Sequence, residues 1–181
     1  MNHAMIDVEA LRLKKPWRAP LLEIGVVIFD DIGNVLQTKR ILVKKEGLPR
    51  WASVEKETLE FWREQPYFKE LQRDIMRNGV ESREAVTQLK DFLQHHKVEA
   101  FWFAGPQYDQ VMLEAYYSDF AIEPAWRYND TRDLRTIRKQ HPAIYDPLVN
   151  NRKGTHQAVD DCLFQVSILR EISKATDHRW L

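Results

Sequence analysis

One cysteine in 181 residues, Cys162, excludes an internal disulfide framework and fits a reducing compartment. Long apolar runs are missing as well: none approaches the roughly 18 residues that a membrane span requires. The opening Met1-Asn2-His3-Ala4 has neither the basic nor the apolar region of a signal peptide. No Gly/Ser linker, repeat or low-complexity tract divides the chain, so one domain over 1–181 is expected. Charge of one sign is not in excess, with 27 basic against 27 acidic side chains and a net charge of zero. A protein that coats long stretches of nucleic acid neutralises many phosphates at once, and this balance speaks against that role. The phosphate-cradling patterns GxxxxGK(S/T) and GxGxxG are absent, as is a serine in a nucleophile-elbow setting. His95-His96 lacks a cysteine or acidic partner at zinc-ligand spacing, which leaves an exposed helix end. Nothing reads as an amphipathic membrane helix. A cytoplasmic globular chain is the expectation, with 44% hydrophobic and 30% charged residues.

What is present reads as alternating structure. Ala4 to Ala10 predicts a short strand and Leu21 to Phe29 a stronger one, rich in Ile and Val. Val35 to Val43 predicts a third, after the turn Asp31-Ile32-Gly33-Asn34. Three early strands on short connections suggest an antiparallel meander. Val54, Thr58, Phe61, Trp62 and Gln65 fall at helical spacing until Pro66 stops the run. Glu81 to His96 predicts a helix capped by Ser82, with Val86, Leu89, Phe92 and Leu93 inward. Val98 to Phe103 is a buried strand, and Gly105-Pro106 opens a helix to about Phe120, proline being favourable in a first turn. A short helix is expected over Thr131 to Lys139 and the last long one over Thr155 to Ile172. This order gives an α/β or α+β domain on a mixed sheet.

Three fragments carry chemistry. Asp7 and Glu9 lie two apart on the first strand, so their carboxylates share a face while Ile6 and Val8 turn to the other. Like charges that close repel, and one stays protonated unless a cation lies between them. The plain alternative is a solvated acidic pair at a strand end. Asp109 falls in the first turn after a buried strand, where ligand sites of open α/β sheets gather. Its plain alternative is an acid complementing the helix dipole. His156 and Asp161 are five apart, too many for one helical face, so His156 belongs to the approach, with Thr155 or His156 near the cap, and Asp161 to the first turns. Ala158, Cys162, Val166 and Leu169 form the packing stripe, and the small Ala158 lets the helix come close to the sheet. Asp160 points elsewhere and reads as a supporting acid. A capping or surface imidazole and a favourable helix start are the alternatives here.

Singly these fragments say little; their order says more. D-x-E near the start, an acid after a mid-chain strand, then H-x-x-x-x-D opening the last helix resembles the DEDDh group of 3′–5′ exonucleases in the RNase H-like superfamily, over Ile6 to about Leu169. The compact phage-type and bacterial branch is the most similar. Glu60-Phe61-Trp62-Arg63-Glu64-Gln65 is similar to its tryptophan-and-glutamine helix motif, and Tyr128-Asn129-Asp130-Thr131-Arg132-Asp133-Leu134-Arg135 to its segment before the last motif. Two positions depart from the pattern: Ala10 stands where many relatives carry Thr or Ser, and Gly105-Pro106-Gln107 replaces the Asn often found ahead of the aspartate.

The resemblance implies an RNase H-like fold: a mixed five-stranded sheet, three N-terminal strands antiparallel, flanked by helices. It implies two divalent ions, Mg²⁺ or Mn²⁺, on the hard oxygens of Asp7, Glu9, Asp109 and Asp161. His156 would take the proton of the attacking water. Ala10, Leu11, Trp62, Gln65 and Tyr108 would meet the substrate, with Leu11 wedging between bases. Ordinary core packing is the slightly favoured alternative for Phe61 and stands level for Trp62. Arg132, Arg135 and Arg138 recur at i+3, a phosphate path or, in the plainer reading, a solvated helix face. The expected activity is release of nucleotides from a single-stranded 3′ end, RNA favoured over DNA. An RNase H-like endonuclease and a non-catalytic nucleic-acid-binding domain are the alternatives. A homodimer is one arrangement the resemblance allows.

Overall fold

The computed structural model describes residues 1–150, 152 and 156–180. Strands β1 (Asn2–Ala10), β2 (Leu21–Phe29) and β3 (Val35–Leu42) come first, followed by helices α1 (Lys56–Glu64), α2 (Phe68–Asn78) and α3 (Ser82–His95). Then come β4 (Val98–Phe103), α4 (Asp109–Asp119), β5 (Thr131–Asp133), α5 (Leu134–Gln140), α6 (Pro142–Asn150) and α7 (Ala158–Thr176). The strands form one five-stranded sheet in the order β3-β2-β1-β4-β5. β1, β2 and β3 pair antiparallel, whereas β4 runs parallel to β1 and β5 parallel to β4. No helix among the described residues is long and apolar enough to cross a membrane.

The period-2 alternation of β1 decides what each face of the sheet buries. Ala4, Ile6, Val8 and Ala10 join one core with Val86, Leu89 and Leu93 of α3 and Met112, Leu113 and Tyr116 of α4. Met5 on the opposite face joins a second core with Val27 and Phe29 of β2 and Cys162, Val166 and Leu169 of α7. The face that packs α7 is apolar at Met5 and acidic at Asp7 and Glu9, so one strand both anchors the helix and arms its end. The β1–β2 register shifts between Glu9 and Ala10; such irregularities re-aim side chains beside functional sites.

Several elements differ from the sequence reading, each for a local reason. Ser82 is already inside α3 and does not cap it; Glu81 takes the cap position, and the Ser82 hydroxyl donates to the Gly47 carbonyl. Gly105-Pro106 forms a turn closed by the Tyr108 N–H on the Gly105 carbonyl at 2.9 Å, and α4 begins only at Asp109. Thr131 to Asp133 pairs with Phe101 to Phe103 as a strand, with helix starting at Leu134. Arg132 therefore lies on β5, bonded to the Asn129 and Thr131 carbonyls, and the three arginines share no helix face. Helices α2 and α6 were not expected. Pro66 stops α1, but the chain resumes helix at Phe68, and α6 carries Pro147 inside it. α7 starts at Ala158; the expected earlier start at Thr155 lies outside the described residues.

Candidate active site

Asp7, Glu9 and Asp161 each offer a carboxylate oxygen, and these oxygens all lie within 4.8 Å of one another. β1 supplies the first two from one face. α7 supplies the third from its first turn. The helix comes this close because Gly25, paired with Asp7 across β1–β2, carries no side chain. A Cβ there would stand 2.5 Å from the Val159 nitrogen. Asp109 approaches from the opposite helix layer and is buried, its Oδ1 accepting the Val8 N–H at 3.4 Å.

Burial, first, pushes the Asp7 carboxyl well above its ordinary range, and the neighbouring charges of Asp109 and Asp161 push it further. Glu9 is raised in the same way by burial and then by Asp7, Asp161 and Glu23. Burial lifts Asp109 to about 7. Asp161 is raised less, since the Arg152 guanidinium pairs with it and opposes the effect of burial. Converging carboxylates whose charge is opposed by burial and by one another fit the donor set of a hard divalent cation.

This has a consequence for stability without metal. Groups with raised values favour the fold while protonated, below the ordinary carboxylate range, and lose that contribution as pH climbs through their folded-state values. The metal-free protein is therefore expected to melt at a lower temperature at about pH 8 than at about pH 5, with saturating Mg²⁺ or Mn²⁺ raising the Tm more at the higher pH. Thermal scans at both pH values, with and without metal, check this. A metal-free Tm that is level or higher at the alkaline end contradicts it.

A cleft of about 480 Å³ opens beside the acids, with Glu9 and Ala10 at one side, Leu13 and Lys14 at another, and Phe61, Trp62 and Tyr108 as its aromatic lining. The two aromatics of α1 exchange the places expected of them. Phe61 is 42% exposed, while Trp62 is 2% exposed, its indole N–H donating to the Ala10 carbonyl at 2.9 Å. Trp62 packs with Phe68 and Leu71 of the unexpected α2, so its ring edges the cleft from within the core. The open stacking face belongs to Phe61. His156 stands against both, its ring centroid 5.0 Å from Phe61 and 6.1 Å from Trp62, on a left-handed backbone at φ 51°. Such a conformation is uncommon for a side-chain-bearing residue and concentrates at functional positions.

The remaining expected contacts fall at different distances from this centre. Tyr108 lines the cleft and donates its hydroxyl to the Arg12 carbonyl at 2.8 Å. Leu11 packs against the small core around Trp62, and Gln65 donates to the Phe61 carbonyl at 3.2 Å. Neither is part of the cleft lining. Of the three arginines, Arg135 comes nearest the site, over Gly105 and with its charge felt at Asp109.

Three residues of this neighbourhood escaped the sequence reading. Gln165 donates Nε2 to Asp7 Oδ1 at 2.9 Å, and its own Oε1 is buried without a hydrogen-bond partner among the described residues. The signal for it was available, because Gln165 lies four residues after Asp161 on the same helical face. Arg152 pairs with Asp161 and lays its guanidinium over the Phe164 ring at 4.1 Å. Glu23 lies on β2 directly opposite Glu9 and is fully buried.

The fold is shared with proteins of known structure. Escherichia coli exonuclease I in a zinc-bound complex with single-stranded DNA superimposes with a TM-score of 0.75, at 10% identity over 97% of this chain and 41% of that one. The same enzyme with a dT13 oligonucleotide gives 0.73 at 11% identity, covering 95% and 41%. A moderately thermophilic exonuclease I from Methylocaldum szegediense gives 0.72 at 12% identity, covering 97% and 41%. The chain thus spans less than half the length of these neighbours, and the likeness at such identity is one of fold alone. No curated protein is similar enough in sequence to count as a match. The family is nonetheless defined: residues 2–173 match the 3′–5′ exoribonuclease Rv2179c-like domain, and the chain belongs to that family.

Proposed function

We propose that this domain removes nucleotides one at a time from the 3′ end of single-stranded nucleic acid, RNA ahead of DNA, releasing nucleoside 5′-monophosphates. The observation that carries the reading is the meeting of Asp7, Glu9 and Asp161 at the side of a cleft with an open aromatic face. Asp7, Glu9 and Asp161 would hold divalent cations, Mg²⁺ or Mn²⁺, with Asp109 supporting a second. When bound, such ions polarise the phosphoryl group, favour the nucleophilic form of water and stabilise the leaving oxygen.

The chain's own residues do the rest. Gln165 holds one oxygen of Asp7 and so fixes the direction of its carboxylate. Phe61 stacks on the terminal base, and the Ala10 backbone, tied down by Trp62, forms the wall beside it. His156, next to Phe61, accepts the proton of the attacking water. Family membership supports the preference for RNA.

Replacing Phe61 by alanine tests the stacking role. Base–aromatic stacking contributes about 1–3 kcal/mol, so KM is expected to rise about 5- to 150-fold with kcat little changed. Steady-state kinetics on a short oligomer read this, and an unaltered KM removes Phe61 from the substrate contacts. The function as a whole is tested with matched single-stranded RNA and DNA oligomers in Mg²⁺, in Mn²⁺ and with chelator. The expected result is stepwise shortening with either metal, faster on RNA, and none with chelator. Faster degradation of DNA overturns the preference, and undiminished cleavage with chelator overturns the metal requirement.

A further inference from the structure

We propose that Glu23 is a positioning residue for the hydrolysis: from β2 it holds the first turn of α7, and with it Asp161 and His156, against Asp7 and Glu9. The inference rests on the function just proposed. Glu23 is fully buried and stands directly across β1–β2 from Glu9, a costly place for a further carboxylate. Both of its oxygens are committed. Oε1 accepts the N–H of Ala158 at 3.1 Å, while Oε2 accepts from Arg40 Nη2 and from the Tyr67 hydroxyl, each at 3.2 Å. Arg40 on β3 in turn donates Nη1 to Asp74 of α2 at 3.0 Å. One carboxylate thereby joins β3 and α2 to the start of α7.

Among the described residues, that start has no cap from its own segment. Gln157 occupies the cap position without a side-chain hydrogen bond, and the opening N–H groups of a helix have no partner within it. Glu23 supplies the missing acceptor from another element, with its negative charge at the positive end of the helix dipole. Ala158 lies two residues after His156 and three before Asp161, so fixing its N–H fixes both neighbours. Gly25 sets how closely the turn sits on the sheet; the Glu23 hydrogen bond sets how it is turned there. Loss of that bond leaves a buried N–H unpaired and frees the turn to rotate Asp161 away from Asp7 and Glu9.

The test compares two substitutions that both fill the space of Glu23. Glu23→Gln keeps an acceptor oxygen for Ala158, and Glu23→Met does not; Arg40 is 35% exposed and keeps Asp74 as its partner at 3.0 Å, so the methionine variant is expected to leave no buried charge unpaired and to fold. Two quantities are read: Mn²⁺ binding by calorimetry without substrate, and kcat and KM on a short RNA oligomer. Groups that orient a metal ligand typically contribute about 10- to 100-fold, so Glu23→Met is expected to lose that much in Mn²⁺ affinity and in kcat, with KM unchanged. Glu23→Gln is expected to recover most of both. A folded Glu23→Met protein with wild-type Mn²⁺ affinity and kcat overturns the proposal, as does a Glu23→Gln protein as impaired as the methionine variant. If the wild-type protein shortens no RNA, the proposed function fails by itself, while the Mn²⁺ comparison still decides the role of Glu23.

Discussion

Replacing Asp7 by asparagine is expected to lower turnover by about 10³-fold or more while leaving the protein folded. The substitution keeps shape and leaves an oxygen for the Gln165 amide to bond, but removes the charge at the centre of the acidic group. Metal-borne charge stabilisation in such reactions amounts to several kcal/mol, and each 1.4 kcal/mol or so is a factor of ten in rate. The same change removes a carboxyl that burial first, and then the charges of Asp109 and Asp161, drive upward in the metal-free protein. The variant should therefore melt no lower than the wild type without metal at about pH 8, yet gain far less on adding Mn²⁺. Paired activity assays and thermal scans check both halves. Turnover within tenfold of wild type denies Asp7 its place in the reaction.

Replacing His156 by alanine comes second in size. General-base removal typically costs about 10²–10⁴-fold, and that loss is expected in kcat with Mn²⁺ affinity close to the wild-type value, since the imidazole is not among the clustered carboxylates. A modest rise in KM should accompany it, because the ring packs edge-on against Phe61 at 5.0 Å and helps to hold that side chain in place. The separation of a large kcat effect from an intact metal site marks His156 as a proton acceptor rather than a ligand. Calorimetry with Mn²⁺ and single-turnover cleavage measure the two parts. Weakened metal binding equal to the loss in turnover would place His156 among the ligands instead.

The acidic centre was legible in the sequence in part from spacing and, for the meeting of its distant acids, from the resemblance that their order carries. Two residues on a strand put Asp7 and Glu9 on one face, and the small Ala158 together with the Cys162-Val166-Leu169 stripe indicated a helix lying close to the sheet. What spacing could not decide was the choice between neighbours. Phe61 and Trp62 are adjacent on α1, and which one faces the cleft depends on α2, whose Phe68 and Leu71 draw Trp62 inward. With Pro66 read as an end rather than a pause, that helix and its small core were invisible. Glu23 was hidden differently. It lies in a strand of apolar residues, and its meaning arises only from β2 facing β1 on one side and the start of α7 above. Tertiary partners, not local pattern, assign such residues.

The most direct measurement follows a single-stranded RNA oligomer labelled at its 3′-terminal nucleotide through the first turnovers in Mg²⁺. Acids gathered at the side of an aromatic cleft, in a chain of this exoribonuclease family, predict that the label leaves at once as a free nucleoside 5′-monophosphate and stays in place when chelator is present. Label remaining in longer fragments cut from within the strand, or leaving equally fast without metal, would contradict the account.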